Sequence, residues 1–368
     1  MHTILFNPDQ DLNTPFIRVG VADNGGSGLK LGVFENGQIT HFRTVSSTDP
    51  TTNFTDEFAA FLAELADEDV ILDFVQIVST GAPYVDDKGA QCVDPQNGRK
   101  ETINASKIAT IASRIMQRKV TVRIGNDVEA LVPVVWHKDT KVRHLFGPPA
   151  DPSGSGYTLM GGTGLGQLFN LRLPDGTLAY HGMETGHLPT AESLTNSAIA
   201  SRYHYLADDL AATHRYITSA GLRWDVEYGG GSCQGLAHAL HAIRGDTQFT
   251  EYDGKEATEI AYGVTHDMPY AWRAMCVTTF AVANAILNAS LFTVPGGIRL
   301  CGPLFRNIDV MMRMGLPYMV SVLGQQAAYQ GLVNRTPVLI AENLPEDWSL
   351  IGAGLTALSQ WSSALVPA

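Results

Sequence analysis

Apolar residues recur along this chain in two rhythms, one of short runs that stop at glycine and one of longer segments with helical spacing. The run at residues 17–22 (IRVGVA) ends at Asp23 and a glycine cluster, and runs at 31–34 and 38–44 follow it, parted by the turn Glu35-Asn36-Gly37. Three strands this close, two of them joined by a tight turn, predict a meander. Residues 55–66 (TDEFAAFLAELA) then carry apolar positions at helical spacing, with Asp56 and Glu57 in the first turn. The run 74–79 (FVQIVS) reads as a buried strand leading into Thr80-Gly81-Ala82-Pro83. A polar loop over 86–100 comes next, then a helix near 105–118 and a strand over 120–124 that stops at Gly125-Asn126-Asp127.

The stretch 147–156 (GPPADPSGSG) is rich in Pro, Gly and Ser and reads as a loop, after which the pattern restarts. A strand at 157–160, a glycine turn at 161–166, a strand at 167–173 and the turn Pro174-Asp175-Gly176 repeat what the N-terminus offered. This is a weak internal duplication. It predicts two α/β halves, a smaller one over 1–127 and a larger one over 128–368, with a last helix that returns to the first half. A cleft between such halves is the natural place for a ligand.

Composition narrows the classes. The chain has 368 residues, 45% hydrophobic and 17% charged, which is the make-up of a globular protein with material for real cores. A formal charge of −12 argues against a nucleic-acid partner, because phosphate backbones reward clustered Lys and Arg. Cys92, Cys233, Cys276 and Cys301 form no CxxC pair and no zinc-like spacing with His, so reduced thiols are expected. The first residues carry no signal-peptide pattern and the last no familiar address; a cytoplasmic location is the expectation. Residues 274–294 are uncharged and long enough to span a bilayer, yet Thr278, Thr279, Asn284, Asn288 and Ser290 dilute them. A helix buried inside a large domain is expected there, and no membrane partner.

Four places can carry chemistry. In Asp23-Asn24-Gly25-Gly26-Ser27-Gly28 the glycines let backbone N–H groups approach phosphate oxygens, and Asp23 is placed to hold Mg²⁺, directly or through water. An ordinary glycine-rich hairpin is the alternative. Gly161-Gly162-Thr163-Gly164-Leu165-Gly166 offers a second such turn, with the Thr163 hydroxyl as a further donor, or else a structural bend. Asn126-Asp127 ends a strand: Asp127 can take a proton from an alcohol that attacks phosphorus, or the pair can cap the helix that follows. Glu184-Thr185-Gly186-His187 sets a carboxylate and an imidazole three residues apart, suited to adjacent hydroxyls of one sugar ring. Neither a GxxxxGK[ST] nor a GxGxxG motif occurs, which disfavours those nucleotide folds.

In this order the pieces resemble bacterial glucokinases and, more distantly, the ROK sugar kinases of the actin-like ATPase superfamily. That family runs through a DxGGT-type first phosphate loop, an ND dipeptide, a GTGLG second loop and an E-x-G-H sugar motif, and residues 23–27, 126–127, 162–166 and 184–187 match in turn. Residues 295–303 (PGGIRLCGP) resemble the stretch beside the adenosine pocket, and 343–354 (NLPEDWSLIGAG) the closing helix. The resemblance implies two ribonuclease-H-like domains with mixed sheets flanked by helices, and an active site in the inter-domain cleft. It implies ATP and Mg²⁺, a hexose substrate with glucose foremost, and a homodimer. Asp127 would be the catalytic base. Asn104, Asn126, Glu184, His187 and Glu227 would bind the sugar, and Asp23, Gly25, Gly26, Ser27, Gly162, Thr163, Gly164 and Gly302 the nucleotide. Glu227 fits only with an extra residue before Ser232-Cys233-Gln234-Gly235-Leu236. Ser27 replaces the usual Thr but keeps a hydroxyl, and Asn24 stands where the family has an apolar residue. The cysteine-rich zinc motif of many ROK members is absent around 229–235, so no zinc is expected. Other acceptors (fructose, mannose, glucosamine, an N-acyl hexosamine), a sugar-sensing protein without catalysis and an actin-like polymerising ATPase remain the alternatives.

Overall fold

Alternation of side chains across a pleated strand assigns the first strands their two faces. In the strand Gly28–Glu35, Leu29, Leu31 and Val33 are fully buried and join Phe54, Phe58, Phe61, Leu62 and Leu65 of the helix Phe54–Asp67 in one core. Gly32 and Phe34, on the alternate positions, meet Leu350 and Gly354 of the C-terminal helix Trp348–Leu365. Asn53 starts the helix Phe54–Asp67 by accepting a hydrogen bond from the Asp56 N–H at 2.7 Å, and the Phe54 and Phe58 rings stack at 5.6 Å.

The computed structural model describes residues 4–9, 17–25, 28–46, 53–95, 101–183, 196–250, 252, 254–325, 329 and 331–365. The chain divides into two compact units, the first comprising Met1–Lys141, Asn170–Gly182 and Asn343–Ala368, the second Val142–Phe169 and Met183–Glu342.

The first unit is built on a five-stranded sheet. Its order runs Gln38–Ser46, Gly28–Glu35, Val19–Gly25, Phe74–Ser79, Thr121–Asn126. The first three strands form an antiparallel meander; Val19–Gly25, Phe74–Ser79 and Thr121–Asn126 run parallel. Their register aligns Asn24 with Ser79 and Ser79 with Asn126, so three strand ends with adjoining loops lie in one row.

In the second unit Gly156–Gly161 pairs in parallel with Gly297–Cys301, which pairs in parallel with Val338–Ala341. Leu165–Arg172 flanks Gly156–Gly161 on its other side, and Val142–Phe146 adds antiparallel to Val338–Ala341. The order Leu165–Arg172, Gly156–Gly161, Gly297–Cys301, Val338–Ala341 matches Gly28–Glu35, Val19–Gly25, Phe74–Ser79, Thr121–Asn126 of the first unit, strand for strand. The internal repeat read from the glycine turns is therefore a repeat of topology. The uncharged stretch 274–294 falls largely in the helix Pro269–Ser290, whose residues Ala274, Val277, Phe280, Val282 and Ile286 are buried in the second unit's core. Among the described residues no helix is long and apolar enough to cross a membrane.

Candidate functional site

Ligands of open α/β sheets gather at the carboxyl ends of parallel strands, and in the first unit this row carries the predicted chemistry. Val19–Gly25 delivers Asp23 and Asn24, Phe74–Ser79 leads into Thr80 and Gly81, and Thr121–Asn126 ends beside Asp127. Cross-links tie the three ends together. Thr80 N–H donates to the Asn24 carbonyl at 3.3 Å and Asp127 N–H to the Ser79 carbonyl at 3.1 Å. The Asn24 amide donates to Ser79 Oγ at 3.2 Å, and the Asn126 amide to the Gly81 carbonyl at 2.9 Å. Asn24 is fully buried, so the polar residue found in place of an apolar one is a tie between neighbouring strand ends.

Asp127 and Asn126 both accept from the Val128 N–H, each at 2.9 Å, and start the short helical turn Val128–Ala130. The capping role weighed for this dipeptide is thus present. It fixes the direction of the half-buried Asp127 side chain.

Asp23 is a buried carboxyl, 8% exposed. Ser349 Oγ donates to its Oδ2 at 2.6 Å and Lys30 Nζ lies 3.9 Å away. Burial raises its pKa above the usual carboxylate range, while the Ser349 hydrogen bond and the Lys30 charge pull it back. Asp23 Oδ1 stands beside Gly25, where a Cβ would lie only 3.2 Å from it. A side chain at 25 would crowd that oxygen, and a carboxylate oxygen is the type of donor that Mg²⁺ takes. Ser349 carried no signal in its own neighbourhood; it reaches Asp23 only because the C-terminal helix folds back onto this sheet.

Asn104 is placed differently from a free sugar ligand. It caps the helix Ala105–Ile115 by accepting from Lys107 N–H at 3.0 Å, and its amide points to Asp86 Oδ2 at 3.2 Å and Cys92 Sγ at 3.1 Å. Tyr84–Val85, just before the polar loop, and Gln91–Val93, within it, form a small antiparallel sheet with Ile103–Asn104. The Ala90 N–H holds the Asp86 carboxyl below its usual range, and burial pushes the Cys92 thiol up.

The second unit assembles the other glycine turn. Gly156–Gly161 ends in it, and Gly302, one residue past Gly297–Cys301, lies alongside: a Cβ on Gly302 would come within 2.8 Å of the Gly161 carbonyl. With φ at +97°, position 302 calls for glycine twice over. The turn is closed by Gly162 N–H donating to the Gly164 carbonyl at 2.9 Å. From the helix Cys233–Arg244, Cys233 N–H donates to the Gly162 carbonyl at 2.8 Å and Gln234 N–H to the Thr163 carbonyl at 3.3 Å. Glu227 Oε2 accepts the Leu165 N–H at 3.0 Å. Among the described residues no acceptor is found for the N–H of Thr163 or Gly164.

No protein-family model matches the sequence, and no curated protein sequence matches it. Solved structures do. Glucokinase from Balamuthia mandrillaris, in complex with glucose, superposes with a TM-score of 0.68 over 93% of this chain and 94% of its own, at 18% identity. A ROK hexokinase from Thermus thermophilus gives 0.58 over 94% and 100% at 18% identity. A ROK glucokinase from Streptomyces griseus, in complex with glucose and AMPPNP, gives 0.52 over 94% and 99% at 20% identity. This chain has the sugar-kinase fold. Of the residues expected to serve a sugar kinase, Asp23, Gly25, Asn104, Asn126 and Asp127 lie in the first unit. Gly162, Thr163, Gly164, Glu227 and Gly302 lie in the second. Gly26, Ser27, Glu184 and His187 fall outside the described residues.

Proposed function

We propose that this chain is a hexose kinase that transfers the γ-phosphoryl group of ATP to the 6-hydroxyl of glucose. The observation that carries the reading is the row of strand ends in the first unit, with Asp23 and Asp127 at its two sides and Asn24, Ser79, Gly81 and Asn126 tying it together. The likeness of fold to glucokinases over more than nine-tenths of the chain supports it.

In this reading the sugar O6 forms its bond to the γ-phosphorus as the bond from that phosphorus to the ADP oxygen breaks, and the O6 proton passes to Asp127. Phosphoryl transfer draws its acceleration chiefly from positioning and charge stabilisation. Asp127 is held for the task by the Val128 N–H, and the Thr163 and Gly164 N–H groups offer donors to phosphate oxygens. Mg²⁺, held by Asp23 directly or through water, would neutralise phosphate charge. Asn126, Glu184 and His187 would bind sugar hydroxyls, and we place the enzyme in the cytoplasm as a homodimer.

A coupled assay of ADP release across glucose, fructose, mannose, glucosamine and an N-acyl hexosamine tests the acceptor, and polyphosphate or ADP in place of ATP tests the donor. A positioned base typically contributes ~10²–10⁴-fold. Asp127→Asn is expected to lose that much kcat while glucose still binds; near-normal turnover would end the assignment.

A further inference from the structure

The resemblance assigns Glu227 to the sugar. Its surroundings give it a second task. Its side chain runs to the glycine turn, where Oε2 takes the Leu165 N–H at 3.0 Å. A Cβ on Gly164 would lie 3.1 Å from Oε1 and 3.3 Å from Oε2, so glycine at 164 makes room for this carboxylate and not only for a phosphate.

The backbone of Glu227 is itself pinned. Ser232 Oγ donates to its carbonyl at 3.0 Å, and Gly235 packs so closely that a Cβ there would stand 2.3 Å from that same oxygen. The flanking segment is closed by Gly231 N–H on the Val226 carbonyl at 2.8 Å. A few residues on, the first N–H groups of the helix Cys233–Arg244 hold the Gly162 and Thr163 carbonyls. One continuous piece of chain, 225–235, thus grips the turn at both ends, by carbonyls at Gly162 and Thr163 and by an N–H at Leu165. Gly231 and Gly235 allow this packing: a Cβ on Gly231 would stand 2.6 Å from the Val226 carbonyl and 3.3 Å from Leu165 Cδ2.

We propose that Glu227 is a positioning residue for the nucleotide: it holds the turn Gly162–Leu165 in the shape that presents the Thr163 and Gly164 N–H groups to phosphate, whether or not a sugar is bound. The inference rests on the kinase reading and deepens it. A carboxylate has the wrong sign to touch a phosphate, and here it accepts the N–H of Leu165 instead, a bond that needs an oxygen within reach first and gains strength from the charge second.

That distinction supplies the experiment. Glu227→Gln keeps the reach and an accepting oxygen but removes the charge; Glu227→Asp keeps the charge but stops one methylene short. ATP with Mg²⁺ is titrated by calorimetry into the wild-type and both full-length variants without sugar, with thermal unfolding to verify folding, and glucose KM is measured separately. Glu227→Asp is expected to weaken ATP binding at least 10-fold, and Glu227→Gln to stay within about 3-fold of wild type. Wild-type ATP affinity in Glu227→Asp, or equal losses in both variants, overturns the positioning role while leaving the kinase reading intact. A wild-type protein that binds no ATP overturns the kinase reading, and this inference with it.

Discussion

Replacing Gly352 by alanine puts the packing behind the candidate base to a direct test. Gly352 lies in the C-terminal helix Trp348–Leu365, and a Cβ built on it would sit 1.7 Å from the Ala130 carbonyl oxygen and 2.7 Å from its carbon. A carbon and an oxygen in ordinary contact need roughly 3.5 Å, so the helix must withdraw by more than about 1.5 Å. The obstacle is backbone, and no side-chain rotation relieves it. Overpacking of this kind costs about 1–3 kcal/mol and occasionally more, whereas alanine in place of glycine inside a helix returns up to about 1 kcal/mol. An approach this close to backbone belongs at the upper end of that cost, so the net expectation is a loss of about 2 kcal/mol, about 3 less about 1. The neighbours confirm that the helix has little slack: Leu350, Ala353 and Leu355 are all essentially buried. Urea unfolding followed by tryptophan fluorescence reads the loss, since Trp136 and Trp348 both belong to this unit. Function should follow, because Ala130 closes the turn that Asp127 starts and Ser349, one helical turn before Gly352, holds Asp23. A variant as stable as wild type, or more stable as helix propensity alone predicts, refutes the close approach.

Two further expectations concern buried polar groups. Ser349→Ala removes the hydroxyl that donates to Asp23 at 2.6 Å inside the protein, and a hydrogen bond to a charged group is worth about 1.5–3 kcal/mol. The urea midpoint should fall accordingly and recover in Ser349→Thr; equal midpoints for all three proteins would show that the bond contributes nothing. His238, fully buried beside Tyr216, Tyr228 and Phe249 and facing His241 and Glu256, has its pKa pushed down to about 4 by burial. The unfolded chain binds the proton below the ordinary histidine value of about 6.5 while the folded chain stays neutral. This contribution is therefore intact above that value and is lost as pH falls towards 4, by about 2 kcal/mol between pH 7 and pH 5. Denaturation curves of His238→Gln at the two pH values should show a drop smaller by that amount; an unchanged drop means that other groups carry the pH dependence.

How much of this could be read from residues alone depends on how far apart the partners stand in the chain. Phe74–Ser79 forms over the same residues that its apolar run marks, and the meander before it follows from alternation and the Asn36-Gly37 turn. The helix expected near 105–118 ends sooner, at Ile115, because Gln117 turns to a φ of +51°. These features are local: a period, a cap, a turn residue. Asn24 could not be understood that way, because its partner Ser79 is set by the parallel register of two strands, 55 residues apart. Ser349 is further still, 326 residues from the carboxylate that it serves. For Asn104 and Glu227 the residue type pointed to a sugar, since amides and carboxylates are what hydroxyls require. Structure shows each also engaged with its own protein, Asn104 with Lys107, Asp86 and Cys92 and Glu227 with Leu165. The same polarity that suits a side chain to a ligand suits it to hold a loop. Which backbone N–H comes within reach depends on the register of distant segments, and residue type alone does not carry that.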